Sequence, residues 1–369
     1  MGDAPAPETV IAPVMRSVGE PLTMEPIEVA PPGPGEVRVR MVASGVCHSC
    51  LHAWDGSHGG VPLPVILGDE GAGIVESIGP GVTRVQVGDP VVLSWVPACG
   101  VCRFCALGRQ SLCIGGPPLG VLGDGTPRFA TGDSEVYHFG PATYAPLSVV
   151  AESAAIPIDA RMPLDRAAMI GCAVATGVGA VARTANAGFG DAVAVVGCGG
   201  VGLNAIQGAV LVGADPIVAV DVQPDRLELA QRLGATGVVD ARDDDAADRL
   251  DALSPGGFDV TVVAVGSAAA LELAWSVTGR GGTCVVVGKT PDGVRIDFDP
   301  QTLGGERRLV GSTYGSVRPS IDFPGLVGLY LSGRLKLDEL VSHRFELAEA
   351  NDAFDALRAG ELARGLISF

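Results

Sequence analysis

Four cysteines within fifteen residues, Cys99-x2-Cys102-x2-Cys105-x7-Cys113, constrain this chain more than any other feature. Thiolates held about 2.3 Å from one Zn²⁺ need short, tightly curled connections, and Gly100 and Gly108 let the backbone turn that sharply. The spacing predicts a closed, tetrahedral structural zinc site in a lobe spanning residues 99–113. Two disulfides are the competing reading. They are the weaker one, because the chain starts without a basic segment followed by an apolar one of the kind that directs export. Nine cysteines, at least four of them committed to metal, fit a reducing cytoplasm, which is the expected location.

A length of 369 residues exceeds the usual single core and predicts two domains. Formal net charge of −17 argues against nucleic acid and anionic membrane surfaces as partners, since both would repel the chain. The longest apolar runs, near Ala192–Val196 and Ile217–Val220, are too short to span a bilayer, and a soluble protein is expected. A Pro/Ala-rich start is expected to be mobile.

The first portion reads as an irregular β domain. Val37–Val42 alternates, Ile74–Ile78 and Val91–Leu93 are short apolar runs, and Gly33-Pro34, Gly79-Pro80 and Gly88-Asp89-Pro90 punctuate them. Near Asp165 an alanine-rich helical stretch begins, continuing through Gly171–Arg183. From Ala192 buried strands alternate with helices at Val201–Val212 and Pro224–Leu233, the signature of right-handed parallel βαβ units, and strands at Val260–Val265 and Cys284–Val287 extend the sheet. The last fifty residues leave that alternation, with helices at Ser320–Leu331 and Ala348–Ala359, and are expected to return to the first domain.

Directly after the strand AVAVV stands Gly197-Cys198-Gly199-Gly200-Val201-Gly202. Glycines at these positions suit a tight turn, close approach to a pyrophosphate and close helix–strand packing. Asp221 ends the next strand about twenty residues on, where a carboxylate accepts from both ribose hydroxyls and repels a 2′-phosphate, so NAD(H) is expected over NADP(H). Arg226 stands close enough in sequence to offset part of that repulsion.

Together these motifs resemble the zinc-containing medium-chain alcohol dehydrogenases over nearly the whole length. The matching landmarks are Gly45-Val46-Cys47-His48-Ser49, Gly68-Asp69-Glu70-Gly71-Ala72-Gly73, the four-cysteine lobe, Gly171-Cys172 with Thr176, the GCGGVG turn, Asp221 and Arg364. The roughly thirty residues between Cys113 and Tyr144 point to the class I or class III-like branch and the related aryl-alcohol dehydrogenases. The resemblance implies an α/β architecture. A GroES-like β-rich catalytic domain would cover residues 1–173, a doubly wound Rossmann domain 174–316, and a C-terminal return 317–369.

It also implies a second, catalytic zinc in a cleft, held by Cys47, Cys172 and the histidine of a GHE motif. This chain reads GDE, which puts Asp69 at the histidine position. Two thiolates and an imidazole neutralise Zn²⁺, whereas two thiolates and a carboxylate leave a net −1, a poorer Lewis acid that disfavours alkoxide. The aspartate that supports the ligand histidine in the family is here Cys50. Alternatives stay open: Cys50 as a third thiolate or as a small buried hydrophobe, Glu70 as a ligand, or no metal there.

By the same resemblance Ser49 contacts substrate oxygen and His52 passes its proton to solvent, while His48 and Arg364 contact the cofactor pyrophosphate. Thr176, Val265, Val287 and Ser312 join the cofactor site, and Trp95 and Phe139 wall the substrate pocket, whose bulk suits flat or primary substrates. His58, His138 and His343 match no role and are expected at the surface. The expected function is hydride transfer between NAD(H) and a primary alcohol or aldehyde, aromatic ones included. The alternatives are a reductase of an activated C=C or C=N bond with altered or absent catalytic zinc, and a dinucleotide-binding protein without turnover. A homodimer is expected, with Cys284–Val287 and Leu309–Gly311 as strands able to pair across a two-fold axis.

Overall fold

A computed structural model describes residues 6–290 and 293–369. The Pro/Ala-rich residues 1–5 lie outside the described residues. The chain forms two compact units. One comprises residues 1–172, 318–333 and 340–369, and the other residues 173–317 and 334–339.

In the first unit the strand Glu36–Gly45 is central. It pairs antiparallel with Gly71–Ile78, Leu147–Ala151 and Arg364–Ser368, so the end of the chain is built into the sheet its early part begins. The sheet runs Ala155–Pro157, Pro90–Leu93, Gly71–Ile78, Glu36–Gly45, Arg364–Ser368, Val341–Glu346. A second sheet joins Glu8–Val14, Thr23–Val29, Phe129–Thr131, Ser134–His138 and Val65–Ile66. The alternation expected of Val37–Val42 holds at Arg40 and Val42, which are exposed between buried neighbours, and fails at Arg38, which is only 5% exposed and is paired with Glu76 at 2.6 Å. His138, expected at the surface, is buried instead at the inward end of Ser134–His138, where its Nε2 accepts the Arg128 amide at 2.9 Å.

Among the described residues the second unit holds six strands: β1 (Val193–Val196), β2 (Ile217–Asp221), β3 (Gly237–Asp240), β4 (Phe258–Val263), β5 (Thr278–Val286) and β6 (Arg308–Gly311). All pair in parallel in the order β3-β2-β1-β4-β5-β6, the doubly wound order that places ligands at the switch between β1 and β4. β1 is buried at every position, as a strand with helices on both faces must be. One expectation is corrected here. Cys284–Val287 falls on β5, bonded to β4 on one side and β6 on the other, so it has no free edge to offer a second chain; Leu309–Gly311 lies on the edge strand β6.

The helical stretch from Asp165 is also not continuous. Leu164–Ala168 and Met169–Gly171 end at Cys172, whose φ of −141° and ψ of −79° break the helix before Ala173–Gly179 resumes it. Among the described residues no single helix is long and apolar enough to cross a membrane.

Candidate metal centres and cofactor site

The lobe is built locally. Gly100 and Gly108 take positive φ values of 78° and 71°, the conformation that lets the chain reverse between cysteines. Sulfurs of Cys99, Cys102, Cys105 and Cys113 all lie within 4.8 Å of one another, half-exposed. Backbone amides aim at them: Cys99 N donates to Cys113 Sγ at 3.2 Å and Cys102 N to Cys99 Sγ at 3.3 Å. The Cys105 and Ile114 amides bring the Cys102 thiol down to about 6, while burial, with neighbouring sulfurs, pushes Cys105 up to about 12. Four convergent sulfurs, with backbone amides already favouring the anions of Cys99 and Cys102, fit a tetrahedral Zn²⁺.

A second set is assembled from three distant segments of the first unit. Cys47 caps helix α1 (His48–Trp54), Asp69 sits between the strands Val65–Ile66 and Gly71–Ile78, and Cys172 occupies the helix break. The loop carrying Asp69 is clamped by Thr143 N and Tyr144 N, which donate to Gly68 O and Leu67 O at 3.0 Å. Cys47, Asp69 and Cys172 are buried, with ligand atoms mutually within 4.8 Å and the two sulfurs 3.8 Å apart. Contact with Cys47 and burial raise the Cys172 thiol well above its ordinary value; a bound Zn²⁺ reverses that preference by displacing the proton. Two thiols and a carboxylate converging in a buried place fit a divalent soft-to-borderline metal, and as three ligands they leave a fourth position for another group.

Two further acidic or thiol groups stand beside this set. Glu70 is fully buried and pairs with the Arg364 guanidinium. Burial opposes the Arg364 charge, but Glu70, with Cys47 and Cys172 behind it, more than offsets that and holds its pKa up. Arg364 also donates to Val46 O at 3.4 Å. Cys50 donates its S–H to Asp69 Oδ1 at 3.3 Å, and burial, then the charges of Asp69 and Cys47, push its thiol well up.

On α1, both the amide N and Oγ of Ser49 lie 3.4 Å from Cys47 Sγ, His52 follows one turn on, and its ring is 6.1 Å from that of His48. A Cβ added at Gly140 would stand 3.5 Å from Trp95 Cβ and 3.6 Å from Asp69 Cβ, so the segment just after Phe139 runs between them. Sequence reasoning missed two neighbours. His58 meets Phe139 edge-on at 5.2 Å, and Tyr144 is a buried phenol whose pKa is raised by burial first and by Cys50 and Asp69 next. Neither carries a spacing signal: a lone histidine and an aromatic in an apolar run read as surface and core.

In the second unit, helix α2 (Gly200–Val212) opens directly after the glycine turn. A Cβ at Gly202 would sit 1.8 Å from Gly197 O, so only glycine allows this helix–strand approach. Asp221 closes β2 with both oxygens engaged, Oδ2 accepting Cys198 N at 2.6 Å and Oδ1 accepting Gln223 N at 2.9 Å. The Arg226 charge is felt at Cys198. Val265 packs 3.0 Å from an added Cβ at Gly197, and the Val287 amide donates to Val263 O at 2.9 Å. Ser312 N donates to Val286 O at 2.9 Å, and Ser312 Oγ lies 2.8 Å from Thr184 Oγ1. Residues 197–202, Val265, Val287 and Ser312 thus gather at the carboxyl ends of β1, β4, β5 and β6. Thr176 is buried on Ala173–Gly179.

Comparison with known proteins agrees with this architecture. Residues 33–160 match the alcohol dehydrogenase GroES-like domain and residues 200–332 the zinc-binding dehydrogenase family. The chain is 39% identical over 370 residues to S-(hydroxymethyl)glutathione dehydrogenase of Candida maltosa, covering 98% of this chain and 97% of that one. It is 38% identical over 372 residues to alcohol dehydrogenase class-3 of Drosophila melanogaster, covering 98% of each. Its structure superposes on benzyl alcohol dehydrogenase of Acinetobacter calcoaceticus with a TM-score of 0.93 at 32% identity, over 98% of this chain and 99% of that one. With a GroES-like part, a doubly wound parallel sheet and full-length relatives among the dehydrogenases, the chain belongs to the zinc-binding medium-chain alcohol dehydrogenase family.

Proposed function

We propose that this chain is an NAD(H)-dependent, zinc-dependent alcohol dehydrogenase and aldehyde reductase acting on a primary, flat or aromatic alcohol. The observation that carries the reading is the buried convergence of Cys47, Asp69 and Cys172 within 4.8 Å. Bound there, Zn²⁺ supplies Lewis acidity at the substrate oxygen and NAD(H) supplies or accepts the hydride. Ser49, at the edge of the set through its contact with Cys47, accepts the substrate hydroxyl proton and His52 relays it to solvent. Trp95 and Phe139 hold the substrate carbon chain. Cys99, Cys102, Cys105 and Cys113 hold the structural zinc, giving two zincs per chain.

The first unit is the catalytic domain and the second the cofactor domain, with residues 174–316 binding NAD(H) through Gly197, Gly199, Gly200, Val201, Gly202, Asp221, Val265, Val287, Ser312 and Thr176. Asp221 takes the adenosine ribose and disfavours NADP(H); Arg226 tempers that preference. His48 and Arg364 serve the pyrophosphate, and pairing with Glu70 fixes where the Arg364 guanidinium stands. The enzyme is a cytoplasmic homodimer.

Elemental analysis of protein purified without added metal, together with alcohol-dependent cofactor reduction, tests the reading. About two zincs per chain with turnover on benzylic and primary alcohols is the expected result. Zinc confined to the lobe, with reduction of enals or iminium ions only, would establish the C=C or C=N reductase instead.

A further inference from the structure

Asp69 and Cys50 depart together from the family pattern the sequence resembles, and the structure places the two side chains in contact. Cys50 Sγ is 3.3 Å from Asp69 Oδ1, and the residues are 0% and 4% exposed. Cys50 is not in the group whose ligand atoms converge; that group is Cys47, Asp69 and Cys172. Helix α1 fixes both sulfurs, because Cys47 caps it and Cys50 lies one turn on, its amide donating to Cys47 O at 3.1 Å.

An imidazole ligand carries a spare N–H and needs an acceptor behind it; a carboxylate ligand carries a spare oxygen and needs a donor. A plain hydrophobe at residue 50 would leave Asp69 Oδ1 short of a donor in a buried place. We propose that Cys50 is a positioning residue whose S–H holds Asp69 Oδ1, so that Asp69 meets the metal through its other oxygen alone. Residues 50 and 69 then act as one pair in which the donor and acceptor roles of imidazole and supporting carboxylate are exchanged. A single oxygen from Asp69 keeps the coordination number low and the substrate position open. The inference rests on the reading that Cys47, Asp69 and Cys172 hold a metal.

The test uses full-length protein loaded with Co²⁺, whose thiolate-to-metal absorption scales with the number of sulfur ligands. Wild type is compared with Cys50→Val, which keeps volume without a donor, and Cys50→Ser, which keeps a donor. Each is read by metal content, chelator competition and that absorption. Cys50→Val is expected to weaken the second site about 10–100-fold with thiolate absorption per bound cobalt unchanged, and Cys50→Ser to restore affinity to within a few-fold. Loss of thiolate absorption in Cys50→Ser would make Cys50 a ligand and overturn the proposal. So would undiminished affinity in Cys50→Val. Should the valine variant fail to fold, the serine variant decides alone, since a ligand role and a donor role predict opposite spectra for it. Wild-type protein holding metal in the lobe only would overturn the two-metal reading itself, and does so before any variant is made.

Discussion

The two cysteine-rich sites differ in what holds them together. The lobe draws every sulfur from residues 99–113, keeps them half-exposed and surrounds them with apolar side chains left in solvent: Val101, Leu107 and Ile114 are 87%, 69% and 69% exposed. Such a segment has little core of its own. The second set draws ligands from residues 47, 69 and 172, and Cys47, Cys50 and Cys172 are members of the large apolar cluster that also contains Val46, Tyr144 and Phe354. Packing builds that site before any metal arrives. The lobe should therefore need its metal to fold, and the buried site should need its metal only to work.

The largest effect expected follows directly. Cys102→Ser should release one zinc per chain, abolish amide-exchange protection across residues 99–113 and lower Tm by an amount on the order of 10 °C, given apparent binding energies of about 10–16 kcal/mol for structural zinc. Cys172→Ser should release the other zinc and abolish turnover while shifting Tm by only about 1–2 °C, the effect of roughly 1 kcal/mol in a chain of 369 residues. Calorimetry on both variants checks this. If Cys172→Ser proves the more destabilised protein, the contrast between the sites is wrong.

A second prediction concerns charge. Glu70 is neutralised by Arg364, so the buried set itself stays at −1 when it holds Zn²⁺. Asp69→His removes that excess. Less negative charge at the metal favours the deprotonated alcohol, so the pH profile of alcohol oxidation should move to lower pH, by about 1–2 units. Cys50 cannot accept from an imidazole as well as a carboxylate does, so Cys50→Asp combined with Asp69→His should hold the metal more tightly than Asp69→His alone, while the returned negative charge makes its profile move less. An unmoved profile in both variants would separate residue 69 from the reacting oxygen.

The same contrast explains what could be read from sequence. The lobe and the GCGGVG turn are contiguous, and each residue type has a local geometric reason, so spacing alone reveals them. The parallel βαβ units of the second unit are legible in its alternating apolar runs, whereas their strand order is not. Cys47, Asp69 and Cys172 are joined only by sheet register and a helix break, and without the family resemblance nothing in their spacing links them. The burial of His138 is not legible because a single histidine gives no periodicity, and its inward position comes from the pairing of Ser134–His138 with Phe129–Thr131 and Val65–Ile66. The apolar run Cys284–Val287 does not show how many neighbours it has, so its lack of a free edge is invisible in the sequence.

In the second unit the contrast recurs on a smaller scale, between a contiguous glycine turn and Asp221 brought to it by β2. Asp221 holds the turn through Cys198 N and its own following loop through Gln223 N. Asp221→Asn keeps one accepting oxygen and loses the charge. It should raise KM for NADH about tenfold, the worth of one charge-assisted hydrogen bond, while NADPH suffers less because the repulsion of its 2′-phosphate is relieved. Equal losses for the two cofactors would mean that Asp221 only braces the turn.

The smallest effect separates acid lability of the metal sites from acid lability of the packing around the buried one. Ile66, three residues before Asp69, pairs with His138 across the parallel strands Val65–Ile66 and Ser134–His138. Burial, helped by the Arg128 charge, lowers the His138 pKa to about 3 from an ordinary 6.5. The folded chain therefore binds this proton only in strong acid, whereas the unfolded chain binds it below 6.5. Stability from keeping His138 neutral is present above that value and is lost progressively as pH falls toward 3. Between pH 7 and pH 5.5 the loss should be about 1 kcal/mol. His138→Gln keeps an acceptor for the Arg128 amide and removes the titration, so its urea-unfolding free energy should fall by about 1 kcal/mol less than wild type over the same interval. Thiolate protonation at the metal sites and the other four histidines are untouched by the substitution, so whatever acid sensitivity persists in His138→Gln arises outside His138, and an unchanged slope would place all of it there.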